Sequence, residues 1–273
     1  MAGSAKGTPG LVGPDPKQRI REEETYYSAM MLASAGFWGE SNRLLESLRA
    51  RLPEVSAIPN GVGLNRQKLG EHTKATEEFR AALKLDPSNA EIHYNLAVSL
   101  FALNQFDSAV GEAQAALAIA PYDTDATALL GTLWMQEKDY AKARLSFNQL
   151  LQIVPDDYAG NYNLGVLSAL EGKWKEGEHF LESALQVDPH SAEAHNTLGS
   201  IYHREQRLED ATRQYSEAIR LDPNFAMAHY NLGLVFQDQQ RNEEAVQQFR
   251  QALSSDPNFR EAREALQKAK GSN

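Results

Sequence analysis

The chain has no cysteine among its 273 residues. That excludes disulfides, thiolate metal sites and a thiol nucleophile. It leaves the compartment open, because a cysteine-free chain suits an oxidising or a reducing environment. Long hydrophobic runs are missing too. The longest mostly apolar stretch, Ala29 to Trp38, falls short of the roughly 20 residues that cross a bilayer, so no direct membrane insertion is expected. Residues 1–10 hold no apolar segment of the kind a secretory signal needs. The expectation is a soluble chain, cytoplasmic by default, with an exported form left open where an upstream signal has been removed. Residues 1–17 are rich in glycine and proline and are expected to be disordered.

An excess of positive charge is also lacking. Lys and Arg number 27 against 37 Asp and Glu, a net charge of −10. A general nucleic-acid binder needs a basic face to neutralise phosphates, and docking to anionic lipid needs the same. No nucleic-acid partner is expected. Neither a phosphate-cradling glycine loop, nor HExxH, nor GxSxG, nor an EF-hand loop occurs. The seven histidines are scattered, and His93, His195 and His229 read as packing residues. No catalytic residue, no metal ligand and no cofactor is assigned.

What is present is a comb of prolines. Pro53, Pro87, Pro121, Pro155, Pro189, Pro223 and Pro257 stand 34 residues apart without slippage. With each taken as position 32, the repeats are 22–55, 56–89, 90–123, 124–157, 158–191, 192–225 and 226–259. Other columns then align. Position 7 holds Leu96, Leu130, Leu164, Leu198 and Leu232, and position 8 holds Gly63, Ala97, Gly131, Gly165, Gly199 and Gly233. Position 20 holds Ala75, Ala109, Ala143, Gly177, Ala211 and Ala245. Position 24 holds Leu45, Phe79, Phe147, Leu181, Tyr215 and Phe249, with Ala113 as the exception.

Positions 3, 7, 10 and 14 step by three and four, one stripe of a helix, and positions 20, 24 and 27 mark a second helix. Small residues at 8, 20 and 27 let two backbones approach, and large ones at 7, 11 and 24 fill the space between them. Gly36, Gly70, Asn104 and Gly172 at position 15 suit a left-handed turn that ends the first helix. Proline follows the second helix, where no further helical amide is needed. Ser88 with Glu91, and Asn258 with Glu261, have capping-box spacing.

The order of large residue, Leu-Gly, aromatic, Gly, Ala, aromatic, Ala and Asp-Pro resembles the tetratricopeptide repeat (TPR) family over residues 22–259. The resemblance implies an all-α, right-handed superhelical α-solenoid of antiparallel helix pairs, with the first (A) helices lining a concave groove. On this reading the solenoid occupies 18–273, and residues 260–270 form a capping helix with Ala262, Ala265 and Leu266 on its apolar side. Repeat 22–55 lacks the Leu-Gly pair. In the next repeat, Pro59 and the Asn60-Gly61 turn signal are expected to delay or fray the A helix, and Arg66 replaces a large apolar residue at position 11. These first two repeats are either degenerate or a functional bend.

The resemblance implies a non-catalytic scaffold or adaptor that binds a protein or extended peptide. A structural, self-assembling subunit is the alternative, with a homo-oligomer left open; so is the targeting arm of an enzyme whose catalytic part lies elsewhere. The groove residues are read from the A-helix positions outside the packing stripe. Tyr94, Tyr162 and Tyr230 take position 5, followed at position 6 by Asn95, Asn163 and Asn231 and at position 9 by Val98, Val166 and Leu234. Phe101, Thr132, Met135, Asn196, Ser200 and His203 complete the set. Asparagine offers a donor and an acceptor in one plane, which matches a peptide bond, and tyrosine adds a rigid surface with a polar tip. The position-6 asparagines resemble the asparagine ladder in the repeats of O-GlcNAc transferase; here they stand in alternate repeats, and duplication of a two-repeat unit explains the pattern equally. Glu91, Asp125 and Glu193 at position 2 have the wrong sign for the clamp with which cochaperone TPR domains grip acidic C-termini, so the partner is expected not to be strongly acidic.

Overall fold

The computed structural model describes residues 16–271, and among them every regular element is a helix. Of the segment expected to be disordered, residues 1–15 lie outside the described residues, and the first helix already begins at Pro16. The A helices are α1 (Pro16–Ser34), α3 (Ala57–Lys68), α5 (Ala90–Ala102), α7 (Thr124–Gln136), α9 (Tyr158–Leu170), α11 (Ala192–Arg204) and α13 (Ala226–Asp238). Their B partners are α2 (Trp38–Arg49), α4 (His72–Leu85), α6 (Phe106–Ile119), α8 (Tyr140–Ile153), α10 (Trp174–Val187), α12 (Leu208–Leu221) and α14 (Asn242–Ser255). The expected capping helix follows as α15 (Arg260–Gly271). The chain divides into two compact units, one up to Ala143 and one from Arg144.

In the first unit the core joins successive pairs. Ala29, Leu45, Leu48, Ile58 and Val62 form one cluster, and Phe79, Ile92, Leu96, Leu100 and Leu133 centre a second. In the second unit Leu181, Leu198, Ile201, Tyr215, Leu232, Val235 and Phe249 form a continuous core that reaches Ala269 on α15. The position 8 column explains the close approach within each pair. A Cβ placed on Gly63 would sit 2.6 Å from the Phe79 ring, on Gly199 2.8 Å from Tyr215, and on Gly233 2.5 Å from Phe249. Glycine is needed there because the position 24 ring occupies the space of its missing side chain. Ala75, Ala109, Ala211 and Ala245 at position 20 are fully buried, as the spacing predicts.

The A–B turn is uniform. Position 15 has positive φ at Gly36, Gly70 and Gly172, at Asn104, and also at Lys138, Gln206 and Gln240, whose side chains do not announce it. The starts of α5, α7, α9 and α11 correct the capping-box reading. The side chain that accepts from the helix is at position 34, not 33: Asn89 from Ile92, Asp123 from Ala126, Asp157 from Gly160 and Ser191 from Ala194. The Asp-Pro turn takes one residue more than that spacing assumed. At the end of the array, Asn258 lies in the turn and donates its amide to the Asp256 carboxylate.

Pro59 does not fray α3. It is buried as the third residue of the helix, in the first turn, where a missing amide hydrogen costs nothing. The helix starts one residue later in its repeat than α5 does. Arg66 fills its apolar position by pairing with Glu71 at 3.1 Å.

The position 4 histidines are more than filler. Nε2 of His93, His195 and His229 donates to the carbonyl oxygens of Pro87, Pro189 and Pro223 at 3.1, 3.2 and 3.1 Å. Nδ1 of each meets a B-helix side chain, Glu112, Gln214 or Gln248, at 2.6 to 2.7 Å. Asn161 takes the same position and donates to Pro155 at 3.1 Å. Each of these side chains fastens an inter-repeat turn to the A helix that follows it.

Candidate functional site

The A-helix side chains left over from packing form a polar face in each unit. In the first unit, Tyr94 on α5 is half-buried, and burial together with the nearby Asp125 and Asp123 carboxylates raises its phenol above the usual range. Asn95 is buried, and its Nδ2 reaches Asn60 Oδ1 on α3 at 3.4 Å. Val98 is half-exposed, Phe101 lies against Phe106 with centroids 5.8 Å apart, and Met135 is half-exposed. Thr132 turns its hydroxyl back to Ala128 O at 3.0 Å. The acidic position 2 residues Glu91 and Asp125 are exposed.

In the second unit, Tyr162 stacks on Tyr158 with centroids 5.8 Å apart and planes 9° apart, and the Tyr158 hydroxyl bonds to Ser191 at 2.6 Å. Burial raises the Tyr158 phenol, and Glu193 and Asp188 add to this. Asn163 donates Nδ2 to Ala159 O of its own helix at 2.9 Å, and Val166 is half-exposed. Tyr230 packs against Phe249 and Phe259. Here burial, Glu261 and Glu264 raise the phenol.

Between α11 and α13 the expected residues converge. A cavity of about 440 Å³ is lined by Ser200, His203, Arg204, Gln206, Tyr215, Asn231, Leu234 and Asp238. Four of these, Ser200, His203, Asn231 and Leu234, come from the sequence-derived set. Asn231 donates Nδ2 to Asn196 Oδ1 at 3.0 Å. His203 bonds to Asp238 at 2.7 Å. Tyr215 donates to Ser200 at 3.1 Å, and Ser200 donates to Asn196 O at 3.1 Å. Tyr215 is held almost entirely out of water, which pushes its phenol up to about 12. Chemically this is a bowl with one guanidinium, one imidazole, one carboxylate, the amides of Gln206 and Asn231 and an apolar patch at Leu234.

Sequence reasoning missed Arg204, Gln206, Tyr215 and Asp238 in the cavity, Tyr158 elsewhere in the second unit and Asn60 in the first. Asp238 follows the position 13 column from Arg204 by one repeat, and that column was the available signal. Asn60 is the position 5 partner of Asn95, offset by 35 residues as Asn196 is from Asn231. Tyr158, at position 1, carries no periodic signal.

Comparison with known proteins agrees with this architecture. Family models described as tetratricopeptide repeat match residues 63–124, 100–161, 134–201 and 226–259, and a model described as TPR repeat matches 199–240. The chain is 29% identical over 126 residues to the BBSome complex member BBS4 of Mus musculus, which covers 46% of this chain and 24% of that protein. Its fold is similar to that in the crystal structure of the APC/C hetero-tetramer Cut9-Hcn1, with a TM-score of 0.72 and 18% identity over 88% of this chain and 48% of that one. It is also similar to YrrB, described as a TPR protein with an unusual peptide-binding site, with a TM-score of 0.57 and 22% identity over 70% of this chain and 99% of that one. The chain thus spans about a quarter of the curated relative and about half of the Cut9-Hcn1 chain. No described helix is long and apolar enough to cross a membrane. With its helix pairs, its 34-residue register and these matches, the chain belongs to the tetratricopeptide repeat family.

Proposed function

We propose that this chain is a non-catalytic scaffold whose A-helix faces bind an extended polypeptide that is not strongly acidic, with the cavity between α11 and α13 as the anchor of the second unit. The observation that carries the reading is the convergence there of Asn231, His203, Arg204, Asp238 and Leu234 around about 440 Å³. That volume suits one or two side chains of a peptide. The donors and acceptors around it match a backbone, whose amides demand paired groups of both kinds. The partner's sign follows from Glu91, Asp125 and Glu193, all exposed at position 2, which repel a run of carboxylates. YrrB supports the class of ligand, since its description names a peptide-binding site on the same fold.

The test is selection of a displayed random-peptide library on the purified chain, followed by affinity measurements on groove variants. Leu234→Glu is expected to lower affinity at least tenfold, and Gln247→Ala, on the exposed face of α14, is expected to leave it unchanged. Peptides that bind through acidic C-termini in a salt-sensitive way, or binding indifferent to Leu234→Glu, would overturn the proposal.

A further inference from the structure

The 34-residue register allows the same face of every A helix to be compared. At position 10, Asn65, Ser99, Leu133, Leu167, Ile201 and Val235 are all buried. At position 3, Ile58, Ile92, Ala126, Gly160, Ala194 and Ala228 are buried as well. The contacts show what covers them. Asn65 on α3 donates to Ser41 Oγ on α2 at 2.8 Å. A Cβ on Gly61 of α3 would lie 3.1 Å from Leu45 of α2, and a Cβ on Gly160 of α9 would lie 2.6 Å from Leu151 of α8. A Cβ on Gly177 of α10 would lie 2.8 Å from Ile201 of α11. In each case the face of an A helix receives the B helix of the preceding repeat.

Among the described residues, the same face of α1 carries no covering helix. Met31, at position 10, is 71% exposed, Tyr27, at position 6, is 53% exposed, and Ile20, two turns earlier, is 55% exposed. Glu24, at position 3, is exposed between them. Residues 20, 24, 27 and 31 step by four, three and four, so they form one stripe.

We infer that a second copy of this chain covers the stripe, α1 against α1 in antiparallel orientation about a two-fold axis. The opposite end of the array is the wrong occupant. Arg260, Glu261, Arg263, Glu264, Gln267 and Lys268 are all exposed on α15, and laying so highly charged a face on the apolar Ile20, Tyr27 and Met31 would take its charges out of water against a stripe that offers one carboxylate, Glu24. The stripe itself is complementary to its own reverse. With the axis between residues 25 and 26, Ile20 faces Met31 of the other copy, and the Tyr27 hydroxyl can donate to the Glu24 carboxylate of the other copy. Both contacts occur twice, as an isologous interface requires, and a hydroxyl-to-carboxylate bond is of the stronger, charge-assisted kind. The 19 residues of α1 give a contact about 28 Å long. Such a single helix pair sits at the low end of specific interface sizes, so the dimer is reversible. This inference does not rest on the groove reading.

The test is sedimentation equilibrium of the full chain across the micromolar range, with helicity and melting followed in parallel. Wild type is expected to show a monomer–dimer equilibrium. Met31→Glu is expected to weaken it at least tenfold with melting unchanged, because Met31 touches little in its own chain. The absence of native cysteine makes covalent trapping clean: an equimolar mixture of Glu24→Cys and Tyr27→Cys chains, whose changed residues face each other in this register, is expected to form a disulfide heterodimer under mild oxidation, and Gln267→Cys on α15 is expected to form none with either. A monomer at every concentration, a dimer indifferent to Met31→Glu, or cross-linking between Glu24→Cys and Gln267→Cys chains would overturn the inference.

Discussion

Two glycines separate the packing argument from helix propensity. Gly233 lies mid-way along α13, and a Cβ there would stand 2.5, 2.7 and 3.0 Å from three atoms of the Phe249 ring. Carbon atoms in contact prefer about 3.5–4.0 Å, so helix and ring would have to separate by roughly 1 Å. Phe249 is fully buried and flanked by Tyr230, so the ring has little room to retreat. Overpacking of this kind costs about 1–3 kcal/mol. Gly111 lies mid-way along α6 with nothing within 4 Å of the added atom. There, alanine brings only the propensity gain of about 0.8–1.0 kcal/mol. Gly111→Ala is therefore expected to raise stability. Gly233→Ala receives the same gain and loses the packing term, so the two variants are expected to differ by about 1–3 kcal/mol. At roughly 2–4 °C per kcal/mol for a chain of this size, the melting temperatures should differ by several degrees. Urea and thermal unfolding followed by circular dichroism measure it. Equal stabilisation by both substitutions would show that α13 and α14 do not approach at Gly233, and would refute the assigned role of position 8.

Other consequences are as direct. His229→Ala removes the link from Pro223 to α14 and is expected to cost about 1–3 kcal/mol in urea unfolding, whereas His229→Asn should recover part of it, since Asn161 makes the equivalent carbonyl bond. Asn163→Ala is expected to weaken peptide binding about 5- to 100-fold and leave melting unchanged, because Asn163 bonds only within its own helix; Asn231→Ala should lower both affinity and melting, because it also holds Asn196 on α11. A melting drop for Asn163→Ala with affinity intact would remove it from the binding face. Lys74 with Arg66, Lys142, and Lys173 with Arg144 depress the carboxyls of Glu71, Asp139 and Glu171 below their ordinary values of 4.5, 3.8 and 4.5. Groups depressed on folding stabilise above the unfolded value and cease to do so below the folded one, so melting is expected to fall as pH drops from 4.5 downward. Tyr215 runs the other way: burial lifts it from 10.0 to about 12, so stability is expected to decline as pH rises through that window, which alkaline unfolding followed by phenolate absorbance would show.

The fold was legible because it depends on columns. A proline every 34 residues, with small residues at 8 and 20, marks where backbones must approach, and the glycine–ring contacts are that rule in three dimensions. What escaped was local. Lys138, Gln206 and Gln240 adopt the left-handed turn because the helix pair around them demands it, and their side chains have no bearing on it. Ser88 had the composition of a cap, but the geometry of the Asp-Pro turn hands the role to Asn89. Of the two effects expected of Pro59, the helix shows a start one residue late and no fraying, because a proline is disruptive in a helix interior and harmless in its first turn. At the candidate site, the asparagine column was visible, whereas its use was not. Asn95 and Asn231 spend their amide hydrogens on asparagines of the preceding A helix, a pairing that depends on the stacking of repeats. Asp238 entered the cavity through the same stacking.

The left-handed turns carry a kinetic consequence. A residue other than glycine or asparagine enters that conformation at a cost of roughly 1–2 kcal/mol, so in an unfolded chain Lys138, Gln206 and Gln240 visit it seldom, whereas Gly36, Gly70 and Gly172 visit it freely. Closing an A–B hairpin requires that visit before any packing rewards it. The hairpins α1–α2 and α3–α4 in the first unit and α9–α10 in the second are therefore the natural nuclei from which neighbouring pairs can zip up, and the order of assembly is written into the residue at which each pair turns.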